Sequence, residues 1–403
     1  MGIYIPTTMA DHWLKLLICV IALSSTKVNV RASEMVNITL LSNAVEKGAV
    51  CLDGSPAGYH YAKGYGDGAN SWMIYLPGGG WCGRKQSCID RVKYSPMLSS
   101  TKNITQENFG AILSPNKTSN PDFYNWNRVF IRYCDGSSFM GDVKKVDPET
   151  NLHKRGSRIF TSVIDELLSK GLKDAKNVML TGNSAGGLAT ILNCDRFRAL
   201  VPNANMVKCV SDSGFFIHAK NLPNAAGRER TFSRVVHFHG ISKFLPKSCT
   251  SRMKPGLCFF PENLVAHIKT PLFLLNSDFD KFQIQVNLKP HPVDNPGWVN
   301  CTRNITTCTP PQLQIIKDFR NTFLETLKGV GNNPSRGLFI NSCYIHDFLY
   351  LMGRYNSPDS PKLHNKTIAQ AIGDWYFNRS SVRLIDTKID YPLDCKIGSG
   401  NFV

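Results

Sequence analysis

Apolar residues along this chain gather in short runs that alternate with stretches where they recur every three or four positions. The runs at 72–76, 128–133, 178–180, 207–211, 270–275 and 337–342 predict strands. Between them, Ile159, Val163, Ile164, Leu167 and Leu168 have helical spacing, and Gly171 follows as a helix terminator. A second helical stripe, Leu313, Ile316, Phe319, Phe323 and Leu327, predicts a helix over 312–328, and a last one falls at 368–377. Strands alternating with helices argue for a mostly parallel central sheet flanked by helices. The alternation breaks at 215–262, where Phe232, Val235, Val236 and Phe238 suggest an inserted helix serving as a lid or pocket wall. Residues 33–50 read as a leader into the fold, 51–56 and 61–66 as turn-rich opening strands, and 83–127 as polar loops with short helices. Residues 287–311 read as Pro-rich loop, and the segment after the last helix as a loose tail.

The run at 178–180 leads into Gly182-Asn183-Ser184-Ala185-Gly186 and then into the helix-like Leu188-Ala189-Thr190-Ile191-Leu192. This is G-x-S-x-G between a strand and a helix, the setting in which a tight turn presents a serine hydroxyl above a sheet. Glycines on both sides remove the Cβ atoms that such a turn would crush. Asp280 and His346 lie just beyond two later strands, so Ser184, Asp280 and His346 follow the chain order of an α/β-hydrolase. The set is chemically coherent. A serine becomes nucleophilic when an imidazole takes its proton, and a carboxylate fixes the imidazole's tautomer and stabilises its charged form. Asp278 competes with Asp280 for that role; Asp280 is favoured because it lies further into the loop. Backbone N–H groups of Gly79, Gly80 and Ala185 are candidates for the oxyanion hole. Trp81 is either a pocket wall or a core aromatic. His237 and His239 form an H-x-H pair without a supporting cluster of ligands, so no metal site is expected.

Composition places the chain. Its 403 residues are 42% hydrophobic, enough for a large core. The apolar stretch at 14–23, followed by the small Ala32, reads as a signal peptide over 1–32, leaving a single domain over 33–403 and no membrane attachment after cleavage. Thirteen cysteines become twelve once Cys19 is removed, an even number suited to disulfides; Cys82/Cys88, Cys249/Cys258 and Cys301/Cys308 are near enough to close small loops. Sequons begin at Asn37, Asn103, Asn116, Asn300, Asn304, Asn365 and Asn378, as in a glycosylated secreted protein. The net charge of +17 suits an acidic polysaccharide better than nucleic acid, for which no basic helix or aromatic RNA motif is present.

Longer blocks carry a resemblance. Cys51-Leu52-Asp53-Gly54-Ser55-Pro56, Gly78-Gly79-Gly80-Trp81-Cys82, Asn120-Pro121-Asp122-Phe123-Tyr124-Asn125-Trp126-Asn127, Arg132-Tyr133-Cys134-Asp135-Gly136-Ser137 and Asn183-Ser184-Ala185-Gly186-Gly187 stand in order, followed by Ser213-Gly214-Phe215-Phe216 and Gly256-Leu257-Cys258-Phe259-Phe260-Pro261. From about residue 51 to 375 the chain resembles the plant pectin acetylesterases, in the wider family that includes the Notum carboxylesterases. The resemblance implies an α/β-hydrolase fold with loop and helical insertions and removal of acetyl groups from galacturonan in the plant cell wall. It also implies Ser184, Asp280 and His346 as the triad, with Gly79, Gly80 and Ala185 around the oxyanion. The chain departs from it at Asn183 and Asp347, where cysteines are usual, at Pro77, where Glu is usual, and in a Cys-rich ending reduced to Cys395.

The expectation is therefore a secreted, extracellular, monomeric serine esterase acting on acetylated pectin without metal or organic cofactor. Two other readings are an esterase for another acyl group, on a different wall polymer or a lipid-modified protein, and a wall-binding homologue that has lost activity.

Overall fold

The computed structural model describes residues 33–222, 224–288, 296–393 and 395. The leader expected at 1–32 lies outside them. A ten-stranded sheet runs through the molecule. Its strands are β1 (Glu34–Leu40), β2 (Gly58–Ala62), β3 (Ser71–Leu76), β4 (Gln106–Phe109), β5 (Asn127–Ile131), β6 (Asn177–Asn183), β7 (Met206–Asp212), β8 (Leu272–Ser277) and β9 (Arg336–Asn341); a hairpin of β10 (Lys362–Leu363) and β11 (Lys366–Thr367) stands apart, and β12 (Arg383–Ile385) returns to the sheet. The order is β12-β9-β8-β7-β6-β3-β5-β2-β1-β4. Pairing is parallel from β12 through β5 and antiparallel among β5, β2, β1 and β4.

The apolar runs become the central strands because both faces of the parallel part are covered. Side chains alternate between two cores at the strand period of two. Ile74, Val178 and Leu180 join one core with Ile159, Val163, Phe319 and Phe323. Met73, Tyr75 and Met179 join the other with Ile368, Ile372 and Trp375. The helices Gly156–Ser169, Pro310–Leu327 and Ile368–Tyr376 sit where the periodicity placed them, and Gly171 follows the first with φ +113°. The inserted helix spans Ala225–Phe238 and buries Phe232, Val235 and Val236 in a separate aromatic cluster.

Several expectations need correction. Residues 33–50 contain β1 and a short helix, Ala44–Lys47, and Cys51 to Pro56 form a turn. The polar stretch 83–127 holds a helix as expected, Lys85–Tyr94, but also the edge strand β4, which was not. The tail supplies β12, which pairs with β9. Part of 287–311 is the helix Pro296–Arg303. These elements are short, or lie at or next to a sheet edge, where side chains meet water and no continuous apolar run forms.

Among the described residues six disulfides join twelve cysteines. The three short pairs match the proximity reading; Cys51–Cys134, Cys194–Cys209 and Cys343–Cys395 are additional. No helix among the described residues is long and apolar enough to cross a membrane.

Candidate active site

The end of β6 turns into the helix Ala185–Leu200 through Ser184, whose backbone sits at φ 53°, ψ −122°. Close packing enforces the turn. A Cβ on Gly182 would stand 2.2 Å from the Leu76 carbonyl, and one on Gly186 only 1.9 Å from it. The backbone N–H of Ser184 donates to the Asp212 carbonyl at 2.9 Å, locking the elbow onto β7.

The structure brings Ser184, His346 and Asp280 together. Ser184 Oγ lies 2.8 Å from His346 Nε2, and His346 Nδ1 lies 2.9 Å from Asp280 Oδ2. Asp280 is fully buried at the N-terminus of the helix Lys281–Asn287; its Oδ1 accepts from the Gln283 N–H, and the Asn276 amide donates to its Oδ2 at 3.2 Å. An ionised carboxylate only accepts, so Nδ1 carries the hydrogen and the neutral ring presents Nε2 as an acceptor to the serine. The Phe282 ring stacks on His346 at 5.1 Å. Asp278 turns elsewhere: buried, it accepts from Arg320 Nε at 2.9 Å.

The glycine loop is fixed by its carbonyls. Arg91 Nη1 donates to the Gly79 carbonyl at 2.8 Å and the Tyr133 hydroxyl to that of Gly80 at 2.7 Å. Gly78 N–H donates to Asn183 Oδ1 at 2.9 Å, and the Tyr75 hydroxyl donates to the same atom at 2.9 Å. The N–H groups of Gly79, Gly80 and Ala185 donate to no acceptor among the described residues. Gly79 has φ +139° and Gly80 φ +65°, backbone that a side chain would strain.

Asp347 adds a feature that motif spacing does not reveal. Its Oδ1 lies 3.4 Å from His346 Nε2, and that buried oxygen has no hydrogen-bond partner among the described residues. The backbone is held at φ 72°, with the Asp347 N–H donating to Ser213 Oγ and Arg354 Nη1 donating to the carbonyls of 346 and 347. Asp212 is buried nearby and accepts from the N–H groups of Phe348 and Leu349; burial first, and then the Asp347 charge, push its pKa up to about 7. Burial acts to lower the His346 pKa, but the charges of Asp280 and then Asp347, and the hydrogen bond that His346 donates to Asp280, outweigh it, raising the value to about 9.

Beside the triad residues opens a cavity of about 590 Å³. Gly79, Gly80 and Phe282 belong to both; Trp81, Phe216, Phe232 and Phe260 form apolar walls, and Arg91, Arg228, Arg230 and Arg234 also line it. Trp81 thus has both roles considered for it: it lines the cavity and packs edge-on against Phe216 and Phe232, its Nε1–H donating to Ser138 Oγ at 2.7 Å. Phe216, Phe282 and Arg91 come from three distant segments; Phe216 falls in the Ser213–Phe216 block, but no local motif marks the convergence of the three. His237 is exposed, whereas His239 is buried with Nε2 2.7 Å from the Cys82 carbonyl. Cys82, Cys88 and His239 lie within metal-ligand reach of one another, but both sulfurs are committed to the disulfide.

A mostly parallel sheet with a serine at a strand-to-helix elbow, below an imidazole held by a buried carboxylate, defines the α/β-hydrolase class. The solved structure of the Wnt deacylase Notum from Drosophila superposes with a TM-score of 0.74 at 28% identity, covering 89% of this chain and 98% of that one. The profile of the Pectinacetylesterase family matches residues 30–397, and the chain belongs to that family. Pectin acetylesterase 7 of Arabidopsis thaliana is 45% identical over 353 residues, 87% of this chain and 90% of the relative. Palmitoleoyl-protein carboxylesterase notum2 of Xenopus laevis is 29% identical, over 79% of this chain and 63% of that protein. The chain is accordingly a carboxylic ester hydrolase.

Proposed function

We propose that this protein is a secreted serine esterase that removes acetyl groups from pectin in the plant cell wall. The observation that carries the esterase chemistry is the single imidazole bridging Ser184 Oγ at 2.8 Å and Asp280 Oδ2 at 2.9 Å. The pectin acetylesterases at 42–45% identity support the substrate. Six disulfides support passage through an oxidising compartment.

In the proposed course His346 Nε2 takes the Ser184 proton as Oγ attacks the acetyl carbonyl. The N–H groups of Gly79, Gly80 and Ala185 receive the oxyanion; one such donor is typically worth about 3 kcal/mol of transition-state stabilisation. The sugar hydroxyl leaves with the proton from Nε2, and the acetyl group remains on Oγ. Water, deprotonated by the same nitrogen, then attacks the acyl-enzyme, and acetate departs as the proton returns to Ser184.

Acetate release from acetylated pectin by the wild type, and its loss in Ser184→Ala of equal thermal stability, is the expected result. Undiminished release by the variant rules out the nucleophile. The 590 Å³ cavity, much larger than an acetyl group requires, favours a second reading in which a bulkier acyl group enters it. A series of aryl esters of increasing chain length separates the two: kcat/KM highest at acetate supports the first, a rise toward long chains the second.

A further inference from the structure

The cavity beside Ser184 leads onward. It shares Arg230 and Arg234 with a groove of about 550 Å³ along the helix Ala225–Phe238, and that groove also includes Arg84 and His237. From the nucleophile outward three neighbouring spaces follow one another: the cleft at Ser184 and His346, the aromatic cavity and the outer groove, the first two sharing Gly79, Gly80 and Phe282 as lining and the last two sharing the two arginines. An acetyl ester alone needs only the first of these spaces.

Arg230 and Arg234 are one helical turn apart, about 6 Å along the axis, and therefore point the same way. Both are exposed, and neither has an ion pair or a side-chain hydrogen bond among the described residues. Arg379, paired with Asp122 and Asp374, and Arg320, paired with Asp278, are by contrast committed. The helix that carries the pair is anchored underneath by Phe232, Val235 and Val236, so the two charges stand on a fixed support. Deeper in the cavity, Arg91 holds the Gly79 carbonyl with Nη1 while its buried Nη2 has no acceptor among the described residues. Along the path the carboxylates are Asp347 at the nucleophile and Glu229 in the outer groove, the latter facing His218 at 3.7 Å.

We propose that this path is a subsite for ionised uronate residues flanking the acetylated sugar, with Arg230 and Arg234 holding successive carboxylates. The proposal rests on the acetyl-pectin reading above and names the form of polymer that fits. A guanidinium presents a planar fork of donors that matches a carboxylate, and aromatic walls receive the apolar faces of sugar rings. A fatty acyl chain would use the walls and leave the unpaired charges without a role. A methyl ester on the uronate removes the negative charge. The preferred substrate is therefore acetylated galacturonan already stripped of methyl esters, which places this deacetylation after a methyl-ester hydrolysis.

The test compares wild type with Arg230→Ala/Arg234→Ala on two acetylated polygalacturonates, one demethylated and one fully methyl-esterified. On the demethylated polymer KM should rise on the order of 10-fold, the scale of two exposed charge pairs, and its dependence on salt should weaken. On the esterified polymer the ratio of variant to wild-type KM should be close to one. Equal effects on both polymers, or none on either, overturn the subsite. A direct binding measurement separates this from the reaction itself: Ser184→Ala titrated with non-acetylated, demethylated oligogalacturonate should bind, and the two arginine changes should remove that binding. Failure to bind overturns the subsite even where acetate is released. Binding without acetate release by the wild type supports the subsite and overturns the acetylesterase reading alone.

Discussion

Asp278 and Asp280 stand two residues apart and hold different partners: Asp280 meets His346 Nδ1 at 2.9 Å, whereas Asp278 meets Arg320 Nε at 2.9 Å. In an extended strand, residues i and i+2 share a face. β8 ends at Ser277, and the turn that follows sends the two carboxylates apart. Each therefore has its own signature. Asp280→Asn retains a good helix N-cap but loses the carboxylate that orients the imidazole, so kcat should fall by about 10⁴-fold with little change in stability. Asp278→Asn leaves Arg320 buried without its counter-charge and should lower unfolding free energy by roughly 3 kcal/mol. Urea unfolding and kcat measured on both variants check the division; exchange of the two phenotypes would reverse the assignment.

The carboxylates of Asp280 and Asp347 beside His346 should set the pH dependence of the site. In the proposed mechanism His346 serves as a base only when neutral, and its pKa is raised to about 9, so the acidic limb of kcat/KM should lie at alkaline pH. Asp347→Asn removes one of the charges that stabilise the imidazolium and should move that limb down by roughly 1 pH unit. Stability moves the other way. A raised histidine pKa stabilises the fold below the ordinary value of 6.5 and loses that contribution as pH rises toward 9, so the wild type should lose more stability across this interval than the variant. Coincident pH–rate profiles for the two proteins would rule out a role for Asp347 in setting the basicity of His346.

Asn183 connects the strand that ends at Ser184 to the glycine loop by accepting from both Tyr75 and Gly78. Asn183→Ala releases the loop on the side facing Ser184. Small displacements of oxyanion donors are costly, so kcat should drop by up to ~10²-fold, while removal of hydrogen bonds at one side chain should change stability by about 1 kcal/mol. Steady-state kinetics alongside fluorophosphonate labelling of Ser184 test this: labelling should persist at a reduced rate.

The sequence exposed those parts of the molecule that one local rule governs. β6 and its elbow are legible because Gly182 and Gly186 have to be glycine against the Leu76 carbonyl, and the central strands because parallel pairing buries both their faces. β4 and β12, at the two sheet edges, and β1, next to β4, escaped because they keep positions open to water and carry polar residues such as Glu34, Gln106 and Arg383. Within the site, Ser184, Asp280 and His346 could be placed because each follows a strand. The Asp347 contact with His346 Nε2 depends instead on a left-handed backbone at φ 72°, set by Ser213 and Arg354, which no spacing encodes. The convergence of Trp81, Phe216 and Phe282 is likewise a tertiary fact, formed by packing between three segments.

Two disulfides close to this machinery should fail in different ways. Cys51–Cys134 closes a separation of 83 residues and fastens the segment after β5 to the turn before β2, whereas Cys82–Cys88 closes only 6 residues, immediately after Trp81. By chain entropy the first should contribute about 4.5 kcal/mol and the second about 2. The shorter bridge nevertheless fixes the end of the loop that carries Gly79 and Gly80: the Cys82 N–H donates to the Gly136 carbonyl, and His239 Nε2 lies 2.7 Å from the Cys82 carbonyl. Cys82→Ala/Cys88→Ala should therefore reduce kcat more than its small stability loss suggests, and Cys51→Ala/Cys134→Ala should mainly lower Tm, with the folded fraction retaining its turnover. Thermal unfolding and kcat normalised to labelled Ser184 distinguish them. A Cys82/Cys88 variant with full turnover per labelled serine would show that the glycine loop is held by its carbonyl contacts to Arg91 and Tyr133 alone.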